Sequence, residues 1–258
     1  MPAIDFRSPR LFVEPPLEPG AEIPVERSQA NYLCNVLRLK AGDSVLVFNG
    51  RDGEWHASLK TAGRKAFVLV CEVQTRPQRA AQELYHHDLH YLFAPLKHAR
   101  LDYVVQKATE MGASWLQPVL TAFTQASRVS AERMRANAIE AAEQCGILTV
   151  PEIAPAIAFE RMIAARDPAR LLVFCDEAAA VADPISALAA AAAKGAPRPP
   201  LALLIGPEGG FSEAERTALL RLPNVVRLAL GPRILRADTA AVAALALVQS
   251  VLGDWREG

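Results

Sequence analysis

The chain has 258 residues, 51% of them hydrophobic, and its 28 Lys plus Arg balance 28 Asp plus Glu to a formal net charge of zero. That length and apolar content can bury a sizeable core divided between two domains. A neutral chain has no global field to draw in nucleic acid, so any such binding rests on local basic patches.

Met1 to Pro16 lacks the continuous apolar stretch of a signal peptide, and no apolar run approaches membrane-spanning length. Cys34, Cys71, Cys145 and Cys175 lie far apart without a C-x-x-C, three of them inside apolar runs, which reads as buried free thiols of a reducing cytosol. The expectation is a cytoplasmic protein without membrane contact.

Residues 1–74 read as a small β domain. Val45–Phe48, Glu54–Leu59 and Phe67–Val73 are short β-prone runs separated by the turn signals Asn49-Gly50, Asp52-Gly53 and Gly63. Between Ser28 and Leu39 the spacing predicts a helix with Tyr32, Val36 and Leu39 on one face. Residues 75–88 open with the polar, proline-broken Thr75 to Gln82 and read as a linker. His86, His87 and His90 have no acidic or cysteine partner spaced to complete a ligand set, so no metal is expected.

Residues 89–258 alternate strand and helix: strands at Leu89–Ala94, Trp115–Leu120, Leu171–Phe174 and Leu201–Ile205, helices at Arg100–Met111 and Ser130–Gln144. Such alternation predicts an α/β domain, a parallel sheet with helices on both faces. Ala178 to Pro200 reads as a surface helix and a tether. Lys97, Arg100, Lys107, Arg128, Arg133 and Arg135 give this half a modest local excess of positive charge over Asp102, Glu110 and Glu132.

Two stretches near the C-terminus carry the chemistry. The strand Leu201–Ile205 runs into Gly206-Pro207-Glu208-Gly209-Gly210, followed by a capping box of Ser212 and Glu215. A second strand, Val225–Leu230, runs into Gly231-Pro232-Arg233-Ile234-Leu235-Arg236 and a helix from about Asp238, a candidate N-cap, to Leu252, closed by Gly253. Glycines permit positive φ and close approach of the main chain to a ligand. Ligands in open α/β sheets bind at the carboxyl ends of strands. Neither G-x-G-x-x-G after an early strand nor G-x-x-x-x-G-K-[ST] occurs, which removes support for a Rossmann dinucleotide site or a P-loop. What remains is a backbone-lined pocket for a nucleoside-sized ligand, with Arg233 and Arg236 facing something anionic or polar.

GPEGGFS followed about twenty residues later by LGPRILRADTA resembles the signature of RsmE-type proteins, the 16S rRNA uridine N3-methyltransferases of the SPOUT superfamily. The resemblance implies a C-terminal trefoil knot that binds S-adenosylmethionine, an N-terminal PUA-like β-barrel for RNA, and a homodimer acting on 16S rRNA or the small ribosomal subunit. On that footing Leu204, Gly206, Pro207, Glu208, Gly209, Leu230, Gly231, Ile234 and Leu235 are the cofactor-binding candidates, and Arg236, Arg233 and Glu208 the catalytic ones. Asn35 to Leu39 with Gly42-Asp43 resembles the family's N-terminal module, which makes Arg10, Arg38 and Arg51 candidates for phosphate contacts, joined by Lys97, Lys107 and Arg128 for RNA. Glu143-Gln144 resembles a family helix end, but Gly146-Ile147-Leu148 follows where the family usually has an arginine. A SPOUT enzyme acting on tRNA or on a ribose 2′-oxygen, and a non-catalytic RNA-binding assembly protein, remain alternatives.

Overall fold

Short β-branched runs broken by glycine turns build the first of two units into which the chain divides, one of residues 1–84 with 142–150 and the other of 85–141 with 151–258. The computed structural model describes residues 7–63, 66–78, 88–97, 99–125, 129–180, 183–193 and 200–257. In the first unit, β1 (Arg10–Phe12), β2 (Glu22–Pro24), β3 (Ser44–Phe48), β4 (Glu54–Thr61) and β5 (Phe67–Arg76) form one sheet in the order β1-β3-β4-β5-β2. Its neighbours are antiparallel except β1 and β3. Alternate residues face the core, so Val45, Val47, Ala57, Leu59, Leu69 and Cys71 pack with Ile23 and Leu33. The predicted strand to Val73 continues to Arg76, through part of the segment expected to be linker.

The expected single helix from Ser28 to Leu39 is instead a short α-helix, α1 (Arg27–Asn31), that widens into a π-helical turn over Tyr32–Val36. The Leu37 N–H reaches back five residues to the Tyr32 carbonyl (2.9 Å). That wider turn shifts the register: Leu33 takes the core position, while Val36 is 62% exposed.

Arg10, expected at the RNA surface, is only 7% exposed. Its β1 strand is three residues long, too short for periodicity to show, and pairing with β3 turns the side chain onto Glu54. Arg10 Nε donates to Glu54 Oε2 at 2.8 Å, and Arg76 Nε donates to Oε1 at 2.9 Å. Arg76 Nη2 donates to Glu54 Oε2 as well, and the other guanidinium donors reach carbonyls of residues 142–150: Arg10 to Ala142 (2.5 Å), Glu143 (3.0 Å) and Ile147 (3.1 Å), Arg76 to Gly146 (2.9 Å). Thus Gly146 and Ile147, in the stretch where the resemblance implies an arginine, offer main-chain acceptors to Arg76 and Arg10.

The second unit is an all-parallel sheet. Its strands are β6 (Leu89–Phe93), β7 (Trp115–Leu120), β8 (Glu152–Ile153), β9 (Ile157–Ala158), β10 (Leu171–Cys175), β11 (Leu201–Ile205) and β12 (Val225–Leu228). The order is β12-β10-β11-β6-β7-β8, with β9 also paired to β7. The helices are α2 (Ala99–Glu110), α3 (Ala131–Gln144), α4 (Phe159–Ala165), α5 (Pro184–Ala192), α6 (Glu213–Leu220) and α7 (Ala237–Val251). The two-residue strands β8 and β9 and the helix α4 escaped the pattern because they span too few residues to set a period. Ser130 Oγ accepts from the Arg133 N–H (3.2 Å) and starts α3 as predicted. Helix α7 begins earlier than expected: Arg236 is its N-cap, and Asp238 lies within the first turn, where a carboxylate favours the helix dipole. No helix among the described residues is long and apolar enough to cross a membrane.

Burial alone would raise the Glu54 carboxyl, but hydrogen bonds and charge from Arg76 and Arg10 outweigh it and hold the group below the ordinary carboxylate range. A carboxyl depressed by folding contributes stability that is complete above its unfolded value and is lost as pH falls through the folded one. Glu54→Gln strands two buried guanidinium groups and is expected to cost about 3 kcal/mol at neutral pH. Urea unfolding of both proteins measures the gap, which should narrow below the ordinary carboxylate range; equal stability at pH 7 would refute the assignment.

Candidate active site

Three parallel strands that lie side by side, β12, β10 and β11, open their carboxyl ends along one edge of the sheet. Between those ends lies a cleft walled by Gly206–Glu208 and Gly210 from the first loop, Leu230–Leu235 from the second, and Cys175–Glu177 from the third. Ile205, Leu228, Ala237 and Ala240 complete an apolar side. The N–H groups of Leu230, Gly231, Ile234 and Leu235, residues of this wall, find no main-chain acceptor among the described residues. An apolar side with such main-chain donors suits a nucleoside that carries few charges.

The cofactor candidates divide. Gly206, Pro207, Glu208, Leu230, Gly231, Ile234 and Leu235 line the cleft, whereas Leu204 and Gly209 do not. Leu204 is fully buried with Leu92, Phe174 and Phe211, because alternation along β11 turns it to the core behind the cleft. The glycines serve different purposes. Gly210 adopts φ +70, and a Cβ there would come within 2.0 Å of Glu177 Oε1. A Cβ on Gly209 would instead press the Phe123 side chain at 3.2 Å, on the loop after β7.

Buried Glu215 ties that β7 loop down. It forms the predicted capping box with Ser212, accepting the Ser212 N–H at 2.9 Å, and its other oxygen accepts the Ala122 N–H at 2.8 Å.

Of the catalytic candidates, Glu208 is engaged: Arg100 Nη1 donates to its Oε1 at 2.6 Å. Arg233 and Arg236 are exposed, and neither guanidinium has a partner among the described residues. Arg233 lines the cleft; Arg236 stands at the N-cap of α7, outside the lining, and between them Ile234 is 87% exposed.

The sequence reading missed the third strand end. Asp176 is buried, and its carboxylate accepts from Arg216 Nε (2.8 Å), Arg227 Nε (2.8 Å) and the Ala178 N–H (3.1 Å). Burial acts to raise this carboxyl, yet the hydrogen bonds and the two guanidinium charges hold it below the ordinary range. Burial, with the Asp176 charge beside it, pushes the Cys175 thiol up to about 12, so it is no thiolate nucleophile at neutral pH. The signal was present: Leu171 to Cys175 is a strand followed at once by Asp-Glu, at the end where ligands sit.

Among the RNA candidates, Arg38 is exposed with φ +60, and Lys97 is exposed. Arg51 donates to the Glu14 carbonyl (2.7 Å), and Lys107 pairs with Glu110 (2.7 Å) and lies over the Tyr103 ring. Arg128, His86 and His87 fall outside the described residues.

Gly210→Ala forces a side chain into the left-handed region and is expected to cost about 1–2 kcal/mol. Thermal unfolding of the variant checks this; an unchanged midpoint would show that the first loop relaxes to another backbone conformation.

Known proteins bear directly on this geometry. A ribosomal RNA small subunit methyltransferase E of Rickettsia conorii is 28% identical over 241 residues, covering 93% of this chain and 94% of that one. Its namesake in a Synechocystis species is 30% identical over 247 residues, covering 94% of this chain and 78% of that one. A Legionella pneumophila protein solved with the cofactor SAM matches at a TM-score of 0.78 and 26% identity, covering 95% of this chain and 98% of that one. The RNA methyltransferase PUA domain family matches residues 25–71. The RNA methyltransferase domain family matches residues 83–249, most of the chain and all of the cleft: this protein belongs to that family of RNA methyltransferases.

Proposed function

We propose that the chain transfers the methyl group of S-adenosylmethionine to N3 of a uridine in the 16S rRNA of the small ribosomal subunit. The observation that carries this is the cleft at the three strand ends, with main-chain N–H groups that have no main-chain acceptor among the described residues, unpartnered Arg233 in its wall and unpartnered Arg236 at the N-cap next to it. The names of the Rickettsia and Synechocystis relatives support the substrate, and SAM in the Legionella structure supports the cofactor. When bound, S-adenosylmethionine supplies an electrophilic sulfonium methyl.

The residues of the chain have four tasks. Gly206 to Glu208, Gly210 and Leu230 to Leu235 hold the ligand by the main chain. Ile205, Leu228 and Leu235 form an apolar side that keeps water away and strengthens every polar contact in the cleft. Arg236, with Arg233, stabilises the negative charge that spreads over the uracil carbonyl oxygens as N3 loses its proton. We assign Glu208 to positioning, since Arg100 already holds its carboxylate. The N3 edge takes part in base pairing, so the target uridine has to be unpaired or extruded.

We further propose that residues 1–74 form the RNA-docking PUA-like domain, joined by residues 75–88 to the methyltransferase domain of residues 89–258, that Arg38 and Lys97 contact phosphates, and that the catalytic domain is threaded as a trefoil knot in a cytoplasmic homodimer. The match of the PUA family supports the first, the exposure of both cations the second, and the resemblance of the two loop motifs the last.

Arg236→Ala is expected to lower methyl transfer about a hundredfold or more while leaving cofactor affinity unchanged. Mass spectrometry of small-subunit rRNA nucleosides, beside calorimetric titration with S-adenosylmethionine, reads both. Full activity in the variant would remove this arginine from the chemistry.

A further inference from the structure

Among the acidic side chains of the cleft wall, two are already committed. Asp176 takes Arg216 and Arg227, and Glu208 takes Arg100. Arg216 also donates Nη1 to Glu213 at 2.9 Å. Glu177, one residue past Asp176, is left with Arg216 Nη2 at 3.7 Å, beyond hydrogen-bonding distance. Its backbone is nonetheless anchored where it leaves β10, and its half-exposed carboxylate is near the first loop. The preceding residue is clamped by two guanidinium groups and by the Ala178 N–H. Its own carboxylate lies against Gly210 of the first loop, in the space that any Cβ there would occupy. Glu177 therefore spans from the end of β10 to the first loop with uncommitted acceptor oxygens in the cleft wall.

A carboxylate has two oxygens about as far apart as two vicinal hydroxyls, and accepting both protons makes a bidentate, charge-assisted pair. Acidic side chains at strand carboxyl ends use this chemistry to read a ribose in other α/β sheets. We propose that Glu177 reads the ribose hydroxyls of the methyl donor and so selects an adenosyl ligand with an intact ribose. The inference rests on the reading of the cleft as an S-adenosylmethionine site.

The test is calorimetric titration of the full chain and its Glu177→Gln variant with S-adenosylmethionine, S-adenosylhomocysteine and the 2′-deoxy form of the latter. Wild-type protein that fails to bind S-adenosylmethionine would overturn the cofactor reading itself. With binding established, Glu177→Gln is expected to weaken S-adenosylmethionine and S-adenosylhomocysteine alike by about tenfold or more. The 2′-deoxy ligand, lacking one hydroxyl, should lose much less on the same substitution. Equal affinities in both proteins would overturn the assignment. Loss confined to the positively charged S-adenosylmethionine would also overturn it, because it would mark Glu177 as a partner of the sulfonium. Glu177→Asp, one methylene shorter, should fail to restore affinity; an unchanged unfolding midpoint in each variant separates these losses from misfolding.

Discussion

Parallel strands that are neighbours end on the same edge, and the catalytic unit depends on that constraint. Its β12, β10 and β11 are adjacent, so three loops from distant parts of the chain are delivered to one place without any of them having to fold first. The loops themselves contain little secondary structure and few internal hydrogen bonds. Their shape is imposed from below, by the register of the sheet, and from the side by Asp176 and Glu215. Each of these buried carboxylates ties together segments that the sequence separates widely.

This division of labour explains the chemistry available. Main-chain donors and apolar side chains can hold a nucleoside tightly without spending charge, which leaves cations free for the step in which charge develops. Arg233 and Arg236 fit that use because neither is neutralised by a neighbour among the described residues. By contrast Arg216 and Arg227, equally cationic, are absorbed into architecture.

What could be read in the sequence follows the same line. Gly206 to Gly210 and Gly231 to Arg236 announced themselves because glycine, proline and arginine crowd into a few consecutive positions after apolar runs. Asp176 could not, since its arginine partners stand 40 and 51 residues away and only the strand order brings them in. Arg10 misled for a related reason: an arginine near a chain start looks solvated until a three-residue strand turns it inward onto Glu54. Leu204 and Gly209 lay in the right stretch, but which side of the main chain each faces is set by pleat and packing. The π-helical turn at Tyr32–Val36 was likewise hidden, because its residues suit an ordinary helix and only the position of Leu33 in the core selects the wider one.

The arginines of the small N-terminal unit reach carbonyls on Glu143, Gly146 and Ile147, residues that reach the ribosome exit long after β5. During synthesis the small unit must therefore wait, its two guanidinium groups sharing Glu54 alone, until β6, β7 and the helices α2 and α3 have been made, while β8 to β12 are still to come. A fragment cut after residue 84 would keep all five strands yet lack their polar closure, so the boundary seen in space is not one at which the gene can be divided.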